Sequence, residues 1–387
     1  MVKLDFVDLF AGIGGFHIAM KTINEDSNCV LACEIDKNCN DLYNQNFSIE
    51  PLFDIRDVDV KNIPPFQILF AGFPCQPFSQ GGKQMGFTDR IRGTLFFEIM
   101  RIVEHHNPTY ILLENVANII NHDNGYTFKV IQENLIKNGY ELTTNPLILS
   151  PSDFGIPIHR KRAYILARKN QKFENDFQVK SIYQNKENGN AMDFYKFKDL
   201  PDNSLKLTEY EISVLNMWDD FKRGVISDSF GFPIWIEELN SKKPIKSKYL
   251  WKDVFIRKNK ALYDNNRDFI DGWLKKHKPH KWITNKSHMK FEWQANNLNS
   301  VFDGLIQFRP SGVRISSLNK FNTLVAMGHS QIIGPHKRRL SINELKQLQA
   351  FPDHIRISDS RSMASKQLGN SVHVDVVTEV IKYLIGN

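Results

Sequence analysis

The stretch Leu4-Asp5-Phe6-Val7-Asp8-Leu9-Phe10-Ala11-Gly12-Ile13-Gly14-Gly15-Phe16 decides the fold class. Leu4 to Leu9 is a strand candidate, and Gly15 to Thr22 reads as a helix. Between them, three glycines at a strand-to-helix junction permit a tight turn and let a ligand approach the backbone closely. The helix start that follows favours an anionic group such as a carboxylate. A second strand candidate, Cys29 to Glu34, ends on an acidic residue 20 positions after Gly14. An acid at that distance and at a strand end is placed to grip a ribose. Turn and Glu34 together point to a nucleoside-type cofactor. No Gly-Lys-Ser/Thr follows the glycines, so the turn is not a phosphate loop.

Outward from this unit the alternation continues. Asn38 to Asn46 reads as a helix, Ile68 to Phe70 as a strand, Thr94 to His105 as a helix and Tyr110 to Glu114 as a strand. Thr127 to Lys137 reads as a helix and Ala163 to Arg168 as a later strand. This rhythm predicts a largely parallel α/β sheet with helices on both faces. In such a sheet, sites are built outside the carboxyl ends of the strands.

Two stretches fall at that edge. The first is Ala71-Gly72-Phe73-Pro74-Cys75-Gln76-Pro77-Phe78-Ser79-Gln80. Two prolines bracket Cys75 and stop the chain from continuing as strand or helix, so the thiol sits in a stiff loop. Most cysteines are small buried hydrophobes, but this surround suits a positioned nucleophile. The second is Glu114-Asn115-Val116, delivered by an apolar strand. A carboxyl there is partly desolvated, which raises its pKa and suits an acid role; the plainer reading is a helix cap. Between them, Gly81 to Gly86 and Arg90 to Leu95 read either as a loop that closes over a ligand or as a solvated surface loop. Farther on, Arg160 and Arg162 lie at alternate positions leading into a strand and point to one side.

Composition bounds the rest. The chain has 387 residues, a formal net charge of +7, 41% hydrophobic and 24% charged residues, which is ordinary globular composition. That length predicts two domains, or one with a large insertion. No apolar run approaches the roughly 18 residues that span a bilayer, and no basic segment with an apolar core opens the chain, so neither a membrane span nor a signal peptide is expected. Four cysteines, Cys29, Cys33, Cys39 and Cys75, are too few for a disulfide scaffold and place the chain in a reducing cytoplasm. No second cysteine pair or spaced histidine pair completes a metal site, so no metal is expected.

The middle of the chain differs. All six tryptophans, Trp218, Trp235, Trp251, Trp273, Trp282 and Trp293, lie there. Residues 241–290 hold 15 Lys or Arg against 4 Asp or Glu. Basic side chains interleaved with aromatics can neutralise phosphates, and a subset can read base edges. Taken one by one, the tryptophans read better as a small domain's own core and the lysines as solvated. The polar stretch 170–190 reads as the linker into this region.

The motifs Asp8-Leu9-Phe10-Ala11-Gly12-Ile13-Gly14-Gly15-Phe16, Gly72-Phe73-Pro74-Cys75-Gln76-Pro77-Phe78-Ser79, Glu114-Asn115-Val116, Arg160-Lys161-Arg162 and Gly369-Asn370-Ser371-Val372 together resemble the DNA cytosine carbon-5 methyltransferases of bacterial restriction-modification systems. They occur in that family's order, over about residues 1–168 and 309–387. The resemblance implies a Rossmann-like sheet that binds S-adenosyl-L-methionine, plus a smaller inserted DNA target-recognition domain. It implies catalytic roles for Cys75, Glu114, Asn115, Arg160 and Arg162. It implies a cofactor pocket drawn from Asp8, Phe10, Ala11, Gly12, Gly14, Gly15, Glu34, Ile35, Asp54, Ile55, Pro74, Leu95, Asn370 and Ser371. Within it Phe10 stacks on the adenine, Glu34 holds the ribose and Asp54 meets the adenine amino group. Gln76, Ser79 and Arg92 are implied as DNA contacts. The substrate is double-stranded DNA with the target cytosine flipped out of the stack. The expected setting is a cytoplasmic, nucleoid-associated monomer with a cognate restriction endonuclease acting on the same site.

Two positions depart from the family pattern. Ile158 stands where a glutamine is usual, and Ile35 where a larger aromatic is common. The expected partition is 1–172 with 363–387 as the catalytic domain, 173–340 as the recognition domain and 341–362 as a hinge. The closest alternative enzyme, a tRNA cytosine methyltransferase, lacks a long recognition segment. A catalytically dead DNA-binding module is disfavoured by the intact Cys75, Glu114 and glycine turn.

Overall fold

The computed structural model describes residues 3–74, 95–182, 191–195, 197, 202–226, 231–241, 249–295, 298–324 and 331–386. The chain divides into two compact units. The first comprises Met1–Asn185, Thr323–Ala326 and Ile342–Asn387, and the second comprises Lys186–Asn322 and Met327–Ser341.

The first unit is built on strands β1 (Phe6–Leu9), β2 (Cys29–Cys33), β3 (Ile68–Ala71), β4 (Tyr110–Val116), β5 (Tyr140–Leu142), β6 (Leu147–Leu149) and β7 (Arg162–Lys169). Their order is β2-β1-β3-β4-β7-β5, with β6 also paired to β7. β2, β1, β3 and β4 run parallel, as the alternating pattern predicts. β7 runs antiparallel to β4, and β5 and β6 antiparallel to β7. The parallel reading therefore fails past β4. No helix separates β6 from β7, only a short turn at Pro151–Phe154 closed by a Ser150–Asp153 capping box. Without a crossover helix, a returning strand pairs antiparallel.

The parallel strands are apolar throughout because both faces are covered. Val7, Leu9, Leu69, Ala71, Ile111 and Leu113 share one buried cluster with Phe96, Ile99 and Val103 of helix Leu95–His106. On the other side, helix Gly15–Ile23 packs against the last helix, Val374–Ile385.

The first unit takes in residues 173–185 and 342–362, which the sequence alone assigns to the recognition domain and a hinge. Aromatic packing explains the former. Tyr383 stacks on Phe173 at 5.5 Å and meets Phe177 edge-on at 5.2 Å, while the Arg168 guanidinium lies 4.3 Å over the Phe173 ring. The described part of the expected linker is therefore docked. Backbone bonds explain the latter: Asn46 and Arg356 exchange two hydrogen bonds, and Val374 N donates to Gln349 O.

The second unit holds a sheet of order β13-β12-β10-β11-β9-β8, with β8 at Ile234–Trp235, β9 at Lys290–Gln294, β10 at Leu305–Arg309, β11 at Gly312–Ser316, β12 at Ile332–Ile333 and β13 at Arg338–Arg339. Its core is aromatic. Trp218 stacks on Phe291 at 4.8 Å and meets Trp273 at 5.7 Å. Their indole N–H groups donate to the His288 and Met217 carbonyls, as buried indoles require. Trp251 stands 58% exposed, beside exposed Leu250 and Val254. Lys252, Arg257, Lys258, Lys275 and Lys276 are exposed, whereas Lys260 and Lys290 are half-buried. Among the described residues, no helix is long and apolar enough to cross a membrane.

Candidate active site

The register of the parallel strands builds the site. Leu9 pairs with Cys33 on one side and Ala71 on the other, and Ala71 pairs with Leu113. β1, β2 and β3 therefore end level, while β4 runs on to Val116. The residues in line beyond that register, Phe10, Glu34, Gly72 and, within β4, Glu114, share one edge of the sheet.

At one end of this edge is the glycine turn. Phe10, Gly12 and Gly14 all have left-handed backbones, with φ of 56°, 55° and 86°. Nothing lies within 4 Å of where a Cβ on Gly12 would stand. The Gly12 N–H donates to Glu34 Oε2 at 2.8 Å, and the Asp36 N–H donates to Glu34 Oε1 at 2.7 Å. Burial pushes the Glu34 carboxyl up, and these two amides oppose the shift. Gly15 has no room to spare, because a Cβ there would meet Val372 Cγ2 at 2.6 Å and Ser371 Oγ at 2.8 Å. The Gly369–Val372 motif thus seats directly on the glycine turn.

At the other end are Glu114 and its partners. Glu114 is 9% exposed, and its Oε1 lies 3.0 Å from Arg162 Nε. Burial raises the Glu114 pKa above the usual carboxylate range, and the charges of Arg162 and Arg160 work against that rise. Gly72 sits against this carboxylate, since a Cβ on Gly72 would stand 3.7 Å from Glu114 Oε2. Asn115 Nδ2 donates to the Phe73 carbonyl at 2.9 Å. The backbone that leads into Pro74 and Cys75 is therefore tied to the end of β4. Pro74 is exposed. Cys75, Gln76, Ser79 and Arg92 lie outside the described residues.

Other expected residues sit differently. Asp8 is fully buried within β1, with Oδ2 accepting from Tyr43 Oη at 3.2 Å. Tyr43 in turn meets His17 Nδ1 at 2.8 Å, and His17 stacks on Phe47 at 4.0 Å. Burial drives the Asp8 carboxyl well up and holds His17 at about 3. Asp8 thus braces the turn from inside the sheet. The Asp54 carboxylate is taken by Arg56 at 2.5 Å, which holds it at about 2. Ala11 and Ile55 are buried, Ser371 is 8% exposed and Leu95 is half-buried at its helix start. Asn370 is exposed, and so are Ile35 at 57% and the neighbouring Phe53 at 56%.

Arg160 and Arg162 share a motif but not a partner. Arg160 is 2% exposed and donates to two backbone carbonyls, Nη1 to Leu324 at 3.2 Å and Nη2 to Ser371 at 2.5 Å. It fastens two distant segments of the first unit, while Arg162 reaches Glu114. Sequence reading also passes over Tyr43 and His373. Both are fully or almost fully buried polar groups, and neither lies in a motif with a chemical signature. Burial pushes the thiols of Cys29, Cys33 and Cys39 up to about 12, which disfavours their thiolates. Among the described residues, no cluster of three His, Cys, Asp or Glu side chains could hold a metal.

The profile of the family described as C-5 cytosine-specific DNA methylase matches residues 4–386. Type II methyltransferase M.HhaI of Haemophilus parahaemolyticus is 40% identical over 397 aligned residues, covering 100% of this chain and 95% of that protein. Type II methyltransferase M.HgiCI of Herpetosiphon aurantiacus is 33% identical, covering 98% of this chain and 97% of that protein. Among solved structures, the S. pombe Dnmt2 methyltransferase superposes with a TM-score of 0.56 at 21% identity over 99% of both chains, a likeness of fold.

Proposed function

The chain belongs to the C-5 cytosine-specific DNA methylase family, and from that premise we propose that it modifies one short DNA sequence, with Cys75 as nucleophile and Glu114 as acid. The reaction is methyl transfer from S-adenosyl-L-methionine to carbon 5 of cytosine in DNA. The observation that supports the residue assignment is the register of the four parallel strands, which brings the glycine turn, the Gly72–Pro74 entry and Glu114 to one edge.

The pocket fits the cofactor. Gly12 leaves open space over its backbone, and Glu34 is held beside it by the Gly12 and Asp36 amides. Exposed Ile35 and Phe53 offer apolar cover for a flat ring. When bound, S-adenosyl-L-methionine supplies an electrophilic methyl group. The chain's residues have the other half of the task, since carbon 5 of cytosine is a poor nucleophile.

In this reading the Cys75 thiolate forms a bond to carbon 6, and the electron pair displaced into the ring is received at nitrogen 3 by a proton from Glu114. Carbon 5 is then an enamine carbon and nucleophilic. Once carbon 5 carries the methyl group, its proton passes to water and the thiolate leaves to restore the ring double bond, while nitrogen 3 returns its proton to Glu114. Arg162 keeps the Glu114 carboxyl oriented, and Asn115 fixes the loop entry that carries Cys75. Burial of Glu114 favours the protonated form that this step consumes.

The second unit supplies target reading, and the chain acts as a monomer. The relatives are named type II methyltransferases, and in this reading the chain protects host DNA from an endonuclease of the same specificity. The test is methyl transfer to unmodified DNA by the intact chain, Cys75→Ala and Glu114→Gln. Transfer by Cys75→Ala at a rate near that of the intact chain would refute the nucleophile.

A further inference from the structure

Arg160 leaves one group unaccounted for. Two of its nitrogens hold backbone carbonyls, but its buried Nε has no hydrogen-bond partner. Two residues beyond its acceptor Ser371, His373 is 1% exposed and neither of its ring nitrogens has a partner. Gln349 lies alongside, since its backbone carbonyl accepts from Val374 N at 3.1 Å. The Gln349 side chain is fully buried; its Nε2 donates to the Leu368 carbonyl at 2.8 Å, and its Oε1 has no partner.

Each orphaned buried polar group costs about 1–3 kcal/mol. Native interiors rarely leave several together, and ordered water satisfies those that side chains do not reach. These orphans are complementary. Arg160 Nε–H only donates, and Gln349 Oε1 only accepts. A neutral imidazole does one of each, and burial together with the Arg160 charge holds His373 at about 3, so it is neutral at working pH.

We propose that His373 is a positioning residue for the reaction: it carries a hydrogen-bond chain, bridged by buried water, from Arg160 Nε through its imidazole to Gln349 Oε1. That chain fixes the Arg160 guanidinium, and with it the Ser371 peptide on the glycine turn. It also fixes the approach to β7, whose first residue, Arg162, holds Glu114. The inference rests on the reading of Glu114 as the reacting edge.

The test uses the full chain, unmodified phage DNA and S-adenosyl-L-methionine. His373→Leu removes both ring nitrogens at little change in volume, and His373→Gln keeps a donor and an acceptor. His373→Leu should lower kcat about tenfold, with KM for the cofactor within about twofold and the thermal midpoint within a few degrees. His373→Gln should recover kcat to within about threefold. Adding Gln349→Leu to His373→Leu should cost little more, because both cut one chain. If His373→Leu does not fold, Gln349→Leu alone carries the same expectation. Unchanged kcat in His373→Leu, or equal loss in His373→Leu and His373→Gln, overturns the inference. Glu114→Gln, run alongside, separates the two claims: if it is inactive while His373→Leu is normal, only the role of His373 fails. If Glu114→Gln turns over normally, the reading of the edge itself fails.

Discussion

Both units have apolar cores, but they bury different polar side chains. In the first, Asp8, Glu114, Arg160 and His373 are buried at 9% exposure or less, against the usual habit of charged and polar groups. In the second, the large buried side chains include Trp218, Phe221, Trp273 and Phe291, and the buried polar groups are mostly amides such as Asn259, Asn266 and Gln331, with Arg338. Burying a charge is tolerated only when partners are in place. The first unit supplies them for Glu114, Asp8 and Arg160 with Arg162, Tyr43 and backbone carbonyls, and His373 is held neutral. Polar burial of this kind marks chemistry, whereas aromatic burial marks only a core.

The sharpest way to break this contrast is at the edge itself. Cys75→Ala should abolish methyl transfer while cofactor and DNA binding stay measurable, as equilibrium binding beside activity would show. Glu114→Gln should lower kcat by about two to four orders of magnitude. The sign of the pH effect follows from the raised Glu114 pKa. Its protonated fraction falls as pH rises, so kcat should decline on the alkaline side of that pKa, and the Glu114→Gln profile should lack that limb.

Next in size is a core change in the second unit. Trp218→Ala should cost about 3–5 kcal/mol of stability, read by denaturant unfolding, and leave cofactor affinity unchanged wherever the first unit remains folded. Weakened cofactor binding under those conditions would break the separation of the two units' roles. Smaller again is Gly14→Ala. The backbone there has φ of 86°, and a Cβ would stand 2.3 Å from Phe47 Cε2. Strain of about 1–3 kcal/mol should weaken cofactor affinity about tenfold or more by calorimetry, with target choice unaltered.

The first unit was legible because its motifs are punctuated by glycine and proline, whose backbone limits are local. The strand after the glycine turn, the edge at Gly72 and the carboxyl at Glu114 could all be read from neighbours in sequence. The antiparallel return of β7 could not, because it depends on a missing crossover helix and not on any residue in the strand. Nor could the separate tasks of Arg160 and Arg162, whose alternate spacing predicts one side but not one partner. Gln349 and Tyr43 escaped notice because their hydrogen bonds reach residues 19 and 35 positions away, and His373 because its proposed role runs through Arg160, far off in sequence. The second unit's tryptophans were legible as a core by type. A DNA-contacting lysine could not be told from a solvated one, because solvation and phosphate contact call for the same side chain.

The most direct test of the central claim is bisulfite sequencing of DNA from cells expressing the intact chain, beside cells expressing Cys75→Ala. Protected cytosines are expected in one short recurring sequence with the intact chain and none with the variant. Protection that persists with Cys75→Ala, or that follows no sequence with the intact chain, would contradict it.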